Sequence, residues 1–161
     1  MGRRLDRLQR AAPAGLQVAG SPAAELPCPC GGGSYAACCA PLISGQRLAE
    51  TAEQLMRSRY SAFARAALGP AAIEHLLRTH PEPGRSPEER RRALRQFSRG
   101  LQWLQLEVLA CEAGGPADAW GRVRFAAHWR QAGRRGVQRE TSRFGRGAAG
   151  EWLYLEPVSL E

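Results

Sequence analysis

The apolar positions of this chain change their period once, near Gly100. From Glu50 to Leu68, the residues Ala52, Leu55, Met56, Arg59, Tyr60, Phe63 and Ala66 recur at threes and fours, marking one face of a helix. Thr51 stands where a side-chain oxygen would cap it. Gly69-Pro70 ends that helix, and Pro70 can begin the next, over about 70–79, with Ala72, Ile73, Leu76 and Leu77 on its apolar side. His80-Pro81-Glu82-Pro83-Gly84 then breaks the chain. Ser86-Pro87-Glu88-Glu89 supplies an N-cap, a first-position proline and early acids for a third helix. That helix runs to Arg99, has Leu94 and Phe97 as thin apolar contacts, and closes at Gly100.

Beyond Gly100 the period is two. Leu101–Cys111, Ala119–Gln131, Val137–Phe144 and Glu151–Glu156 read as strands with glycine-, proline- and aspartate-containing turns between them. In the second strand Val123, Phe125, Ala127 and Trp129 share one face, and Arg122, Arg124, His128 and Arg130 share the other. Helices followed by an antiparallel meander predict an α+β domain with its helices packed on one sheet face. Residues 1–25 carry no sustained period and read as a flexible arm, followed by a cysteine-rich module over 26–45 and the α+β domain over 46–161.

The cysteine-rich module carries the most specific chemistry. Four of the five cysteines fall in one short stretch: Cys28-Pro29-Cys30, a glycine turn, then Cys38-Cys39. A soft divalent cation needs four thiolates converging on tetrahedral corners at about 2.3 Å, and two paired bites around a reversal can supply them. The pattern predicts one Zn²⁺ per chain in a closed, structural site; the other readings are a redox thiol cluster, free cysteines or an iron–sulfur site. Cys111 lies apart in an apolar stretch and reads as a small buried residue.

Composition narrows the remaining classes. No apolar run approaches the ~18 residues of a membrane span, and no apolar segment follows the basic first residues as a secretory signal requires. The expected compartment is the cytoplasm, where clustered cysteines bind metal more often than they form disulfides. The formal charge is +8, and all 23 basic residues are arginine. Arginine without lysine reflects coding bias as much as function. Net charge is +2 over 1–45, +5 over 46–100 and +1 over 101–161, so the excess lies in the helical middle.

Two further constellations stand out. Arg59 falls on the apolar stripe of its helix, and Glu140 shares strand parity with Ser142 and Phe144, so both point toward one core. Two such charges would have to pair, as a structural ion pair or as part of a polar pocket walled by Tyr60, His80, Trp103, His128 and Trp129. The second is the arginine run with Arg91, Arg92, Arg95 and Arg99. It reads as an exposed helix face with Glu88–Arg92 and Glu89–Arg92 pairs, or as a non-sequence-specific phosphate-contact surface. His75 reads as a surface or boundary residue. No Ser/His/Asp order, phosphate-binding loop or H-E-x-x-H occurs, so no catalytic residue is nominated.

Cys28-Pro29-Cys30-Gly31-Gly32-Gly33-Ser34-Tyr35-Ala36-Ala37-Cys38-Cys39 resembles the SEC-C zinc motif found in a bacterial protein-export motor. The segment from Thr51 to Phe63 resembles the bacterial YchJ family. So do Thr79-His80-Pro81, Trp103-Leu104, Gly121 to Phe125, Arg139 to Phe144 and Gly150 to Tyr154, so the likeness covers about residues 26–156. It implies a SEC-C knuckle followed by a nuclear-transport-factor-2-like domain, in which helices pack into a curved antiparallel sheet to form a cone. Many relatives repeat the knuckle at the carboxyl end, where this chain has Glu156-Pro157-Val158-Ser159-Leu160-Glu161, and many carry lysines in the knuckle turn that is uncharged here. The expectation is a zinc-binding cytoplasmic adaptor whose partner, by analogy, is an export factor or the ribosome. The alternatives are a small-ligand binder or enzyme using the cone around Glu140, and a nucleic-acid or ribosome binder using the arginines.

Overall fold

The computed structural model describes residues 26–66 and 69–161, so the arm assigned to 1–25 and the last two residues of the first periodic segment lie outside the described residues. Among the described residues, four helices precede four strands: α1 (Ala40–Ser44), α2 (Ala52–Arg65), α3 (Pro70–Arg78), α4 (Pro87–Phe97), β1 (Gln102–Ala113), β2 (Trp120–Gln131), β3 (Arg134–Arg146) and β4 (Trp152–Leu160). The strands form one antiparallel sheet in the order β1-β2-β3-β4. Register shifts at Trp103/Gln105, Val108/Ala110, Thr141/Ser142 and Arg143/Phe144 bend it, as bulges do. The helices occupy one side of this open sheet, giving the α+β cone.

Local chemistry sets the helix starts. Thr51 Oγ1 accepts from the Gln54 amide at 3.1 Å, capping α2. The Ala52 amide donates to Gly114 O at 2.9 Å, tying that end of the helix to the end of β1. A Cβ on Gly121 would lie 2.5 Å from Gly114 Cα and 3.1 Å from Ala52 Cβ, so this three-way backbone approach requires glycine. Ser86 and Glu89 form a reciprocal capping box at α4. Because Glu89 is spent on its cap and Glu88 reaches Arg91 at 4.0 Å, the pairs expected with Arg92 do not form.

The strands run longer than their apolar alternation suggests. β3 begins at Arg134 because Ala132 (φ 48°) and Gly133 (φ 78°) make a two-residue turn that pairs Gln131 with Arg134 directly. Both central residues are left-handed, the geometry that matches strand twist. β4 continues through Pro157 to Leu160 along the sheet margin, where a proline is tolerated.

The core lies between the sheet and α2. Leu106, Val123, Ala127, Phe144 and Trp152 face Leu55, Met56 and Tyr60. Full burial of residues such as Phe144 and Leu55 contributes about 1.5–3 kcal/mol each. His75, expected near the surface, is instead 2 % exposed, sealed between α2 and α3. Arg78 Nη2 can only donate, so His75 Nδ1 accepts at 2.8 Å, and its Nε2–H donates to Ser58 Oγ at 2.9 Å. Burial and the nearby Arg78 and Arg59 charges lower its pKa to about 3, keeping the ring neutral. Cys111, expected to be buried, is exposed on β1 beside Glu53.

Candidate metal centre and interior cavity

The cysteine module closes through its backbone before any metal is considered. The Cys28 amide donates to Gly33 O at 2.7 Å and the Tyr35 amide to Leu26 O at 2.8 Å, a small hairpin that carries Cys28 and Cys30. Cys38 and Cys39 follow at the start of α1, whose Pro41 occupies the first turn. Gly31 (φ 82°) and Gly33 (φ 94°) take left-handed backbone in the turn. A Cβ on Gly32 would sit 2.8 Å from Cys38 Sγ, so the sulfurs close over that glycine.

All four Sγ atoms lie within 4.8 Å of one another and none is in a disulfide. The separations are 3.4 Å for Cys28–Cys30, 3.5 Å for Cys30–Cys38, 3.6 Å for Cys30–Cys39 and 3.7 Å for Cys38–Cys39. A tetrahedron with bonds of about 2.3 Å has edges of about 3.8 Å, so the donor set fits a four-coordinate soft cation. Free of a cation, such thiols divide their protons unequally. Hydrogen bonds from Cys30 and Cys39 hold Cys28 well below its ordinary pKa, burial pushes Cys38 up to about 12, and hydrogen bonding to Cys28 and Cys30 raises Cys39. A divalent cation held here would take the deprotonated set and leave no coordination position open.

This module is built into the domain. Cys28, Cys30 and Cys39 belong to the same apolar core as Leu55, Met56 and Phe144. Three residues of α2 spaced by four grip it along one strip. Arg57 Nη1 donates to Cys30 O at 3.0 Å, Ser61 Oγ lies 3.6 Å from Cys28 Sγ, and the Arg65 guanidinium stacks 4.2 Å from the Tyr35 ring centroid.

The opposite side of α2 faces a cavity of about 290 Å³ between sheet and helices, near the lower end of small-molecule sites. Arg59, Tyr60, His80, Trp103 and Glu140 all line it. Arg59 is 9 % exposed; its Nη1 donates to Leu76 O at 3.1 Å and to Thr79 Oγ1 at 2.7 Å. Burial lowers its pKa to about 10, so it stays cationic at neutral pH. Glu140 Oε1 accepts from Ser142 Oγ at 2.6 Å and Tyr154 Oη at 3.2 Å, and Oε2 accepts from Gln138 Nε2 at 3.1 Å.

The expected ion pair is absent: no contact joins Arg59 to Glu140 among the described residues. Each charge bonds neutral partners instead, and Tyr154 lies between them with the Arg59 guanidinium 4.8 Å from its ring centroid. Burial and then the Glu140 charge raise the Tyr154 pKa, so the hydroxyl keeps its proton and donates it. His80 donates from Nδ1 to Tyr154 O at 3.0 Å, and its ring meets the tyrosine edge-on.

His128 and Trp129 do not line this cavity. His128 pairs with Glu107 at 2.9 Å across the exposed side of β1 and β2, and the Trp129 indole lies over Gly136 at the outer end of the β2–β3 hairpin. The arginines also divide. Arg91 makes two bonds to Glu74, at 2.7 and 3.1 Å, strapping α4 to α3, whereas Arg92, Arg95 and Arg99 are exposed. Arg90, in the same run, turns inward to His80 O and Glu82 and lines the cavity. Tyr154, Thr79, Gln138, Arg90 and Glu82 are polar residues to which the sequence assigned no site role. Tyr154 carried a signal, since it shares a resembling segment with Trp152.

The chain is similar to known proteins over most of its length. The family model described as the YchJ middle NTF2-like domain matches residues 51–157. A UPF0225 protein of Geobacter sulfurreducens is 42% identical over 135 residues, covering 83% of this chain and 80% of its own. One from Chromobacterium violaceum is 41% identical over 133 residues, covering 82% and 92%. The crystal structure of a SEC-C motif containing protein from Psychrobacter arcticus superposes with a TM-score of 0.65 over 84% of each chain at 24% identity, a likeness of fold.

Proposed function

We propose, from the premise that this chain belongs to the YchJ family, that it is a zinc-binding cytoplasmic interaction protein in which the metal braces the recognition domain and performs no chemistry. The observation that carries this reading is the set of four mutually close sulfurs at tetrahedral spacing, sharing a core with α2. Thiolate donors favour zinc over hard cations, and a full set of four leaves no position for a substrate or an activated water. The likeness to the Psychrobacter arcticus protein with its SEC-C motif supports the same assignment.

Elemental analysis of untagged protein should return about one zinc per chain. Iron in its place, or four titratable thiols with no metal, would remove the assignment. An adaptor should also lose its partner when the zinc is stripped.

The cavity favours a second reading, a small-ligand binder. It is walled by aromatic side chains, holds the charged groups of Arg59 and Glu140 at fixed positions among its four charged residues, and lies behind the knuckle on the same helix. Arg59 and Glu140 would orient a ligand in it.

A further inference from the structure

The two ends of Arg59 are treated differently by the fold. Both hydrogens of Nη1 are taken, by Leu76 O and by Thr79 Oγ1, and Thr79 Oγ1 in turn donates to His75 O at 2.6 Å. This anchors one end of the guanidinium rigidly to α3. Among the described residues, neither Nε nor Nη2 meets an acceptor, and neither is sealed in the core. Nε and Nη2 form the side-on edge of the guanidinium, whose two parallel N–H bonds match the two oxygens of a carboxylate. That edge belongs to a side chain nine-tenths buried, on the wall of the cavity.

Glu140 is complementary. Its Oε1 accepts two bonds and its Oε2 accepts one, all from neutral donors of β3 and β4. A carboxylate offers about four lone-pair positions, so Oε2 retains room for one more donor. The other charged pair at the cavity, Arg90 with Glu82, already meets internally at 3.3 Å, and Arg90 Nε, though without a hydrogen bond, is sealed from the cavity. The cavity therefore presents one unpaired positive edge and one unfilled negative acceptor, separated by the Tyr154 ring. Around them the walls are apolar and aromatic: Met56, Phe63, Leu94, Phe97, Trp103 and Phe125.

We propose that this cavity binds a small zwitterion of the α-amino-acid class with an aromatic or branched side chain. The ligand's carboxylate lies on the Nε–Nη2 edge of Arg59, its ammonium donates to Glu140 Oε2, and its side chain rests among Phe63, Phe97 and Trp103. This deepens the small-ligand reading above and rests on it. A plain carboxylic acid would satisfy Arg59 but leave its own charge facing Glu140. A plain amine would leave the Arg59 edge unpaired.

The test is calorimetric titration of the zinc-loaded full chain with phenylalanine and two probes that each lack one of its charged groups, 3-phenylpropionate and phenethylamine. Phenylalanine is expected to bind most tightly, with each truncated probe weaker by about tenfold or more, the loss of one charge-assisted bond. Glu140→Gln is expected to bring phenylalanine down to about the level of 3-phenylpropionate and to leave 3-phenylpropionate unchanged or improved. Unchanged zinc content and circular dichroism confirm that this variant is folded. Equal affinity for all three probes, or preference for phenethylamine, overturns the zwitterion while leaving the cavity a binding site. Failure of all three to bind at millimolar concentration overturns both readings.

Discussion

The Arg59 guanidinium lies 4.8 Å above the Tyr154 ring, and the hydroxyl of that same ring donates to Glu140 at 3.2 Å. One aromatic side chain thus touches both charges by different parts of its surface. Tyr154→Phe should keep the stacking and lose only a hydrogen bond, costing about 1 kcal/mol. Tyr154→Ala should cost about 3 kcal/mol or more, because it removes the ring beneath Arg59 and beside Phe144. Urea denaturation separates the two. Equal losses would show that the hydroxyl, not the ring, holds this wall together.

Cys38→Ser should abolish stoichiometric zinc and destabilise the whole domain by more than about 3 kcal/mol, since the sulfurs share its core. Cys111→Ser, at an exposed position, should leave zinc content intact and change stability by less than about 0.5 kcal/mol. Metal analysis with thermal melts checks both. A Cys38→Ser protein that loses zinc but melts like the parent would mean that the module is merely tethered.

Gly32→Ala places a methyl 2.8 Å from Cys38 Sγ and 3.3 Å from Cys30 Sγ. Competition with a chelator should show zinc held about tenfold less tightly, comparable to other disturbances immediately around a metal site. Retention equal to the parent would show that the turn can open without moving the sulfurs.

His75 gives the fold an acid sensitivity. Its folded pKa, lowered to about 3 by burial and by Arg78 and Arg59, lies beneath the unfolded value of 6.5. The unfolded chain therefore binds the proton first. The contribution is fully present above about pH 6.5 and falls by up to about 1.4 kcal/mol per pH unit as acid is added toward pH 3. His75→Gln should flatten the slope of stability against pH between 6.5 and 5. Comparing wild type and variant removes the acid lability of the metal site, which both share. Parallel slopes would place the proton elsewhere.

How much of this was legible beforehand depended on whether a residue's role was local. The helix over Pro70–Arg78 and the capping box at Ser86 are written in adjacent residues, and the sulfur cluster in one short segment. The first strand residues after Gly133 were not legible, because Arg134 and Arg135 are exposed and carry no alternation; a two-residue turn puts them in the sheet. His75 was misplaced because its burial depends on Ser58 and Arg78 meeting it, which no periodicity encodes. The Arg59–Glu140 pair failed for a related reason. Parity aimed both groups at one space, but Thr79 and Ser142, themselves buried, each bond one of the two separately. Trp129 had the right parity and the wrong end of the strand.

Helix α2 carries the metal module along Arg57, Ser61 and Arg65 and the cavity along Met56, Arg59 and Phe63, with about two turns of backbone serving both. Nothing flexible separates the two duties. If the cone takes a guest and the sulfurs hold zinc, as proposed, zinc starvation would weaken the guest's binding without altering any atom that touches it, and by the same linkage the guest would tighten the hold on the ion.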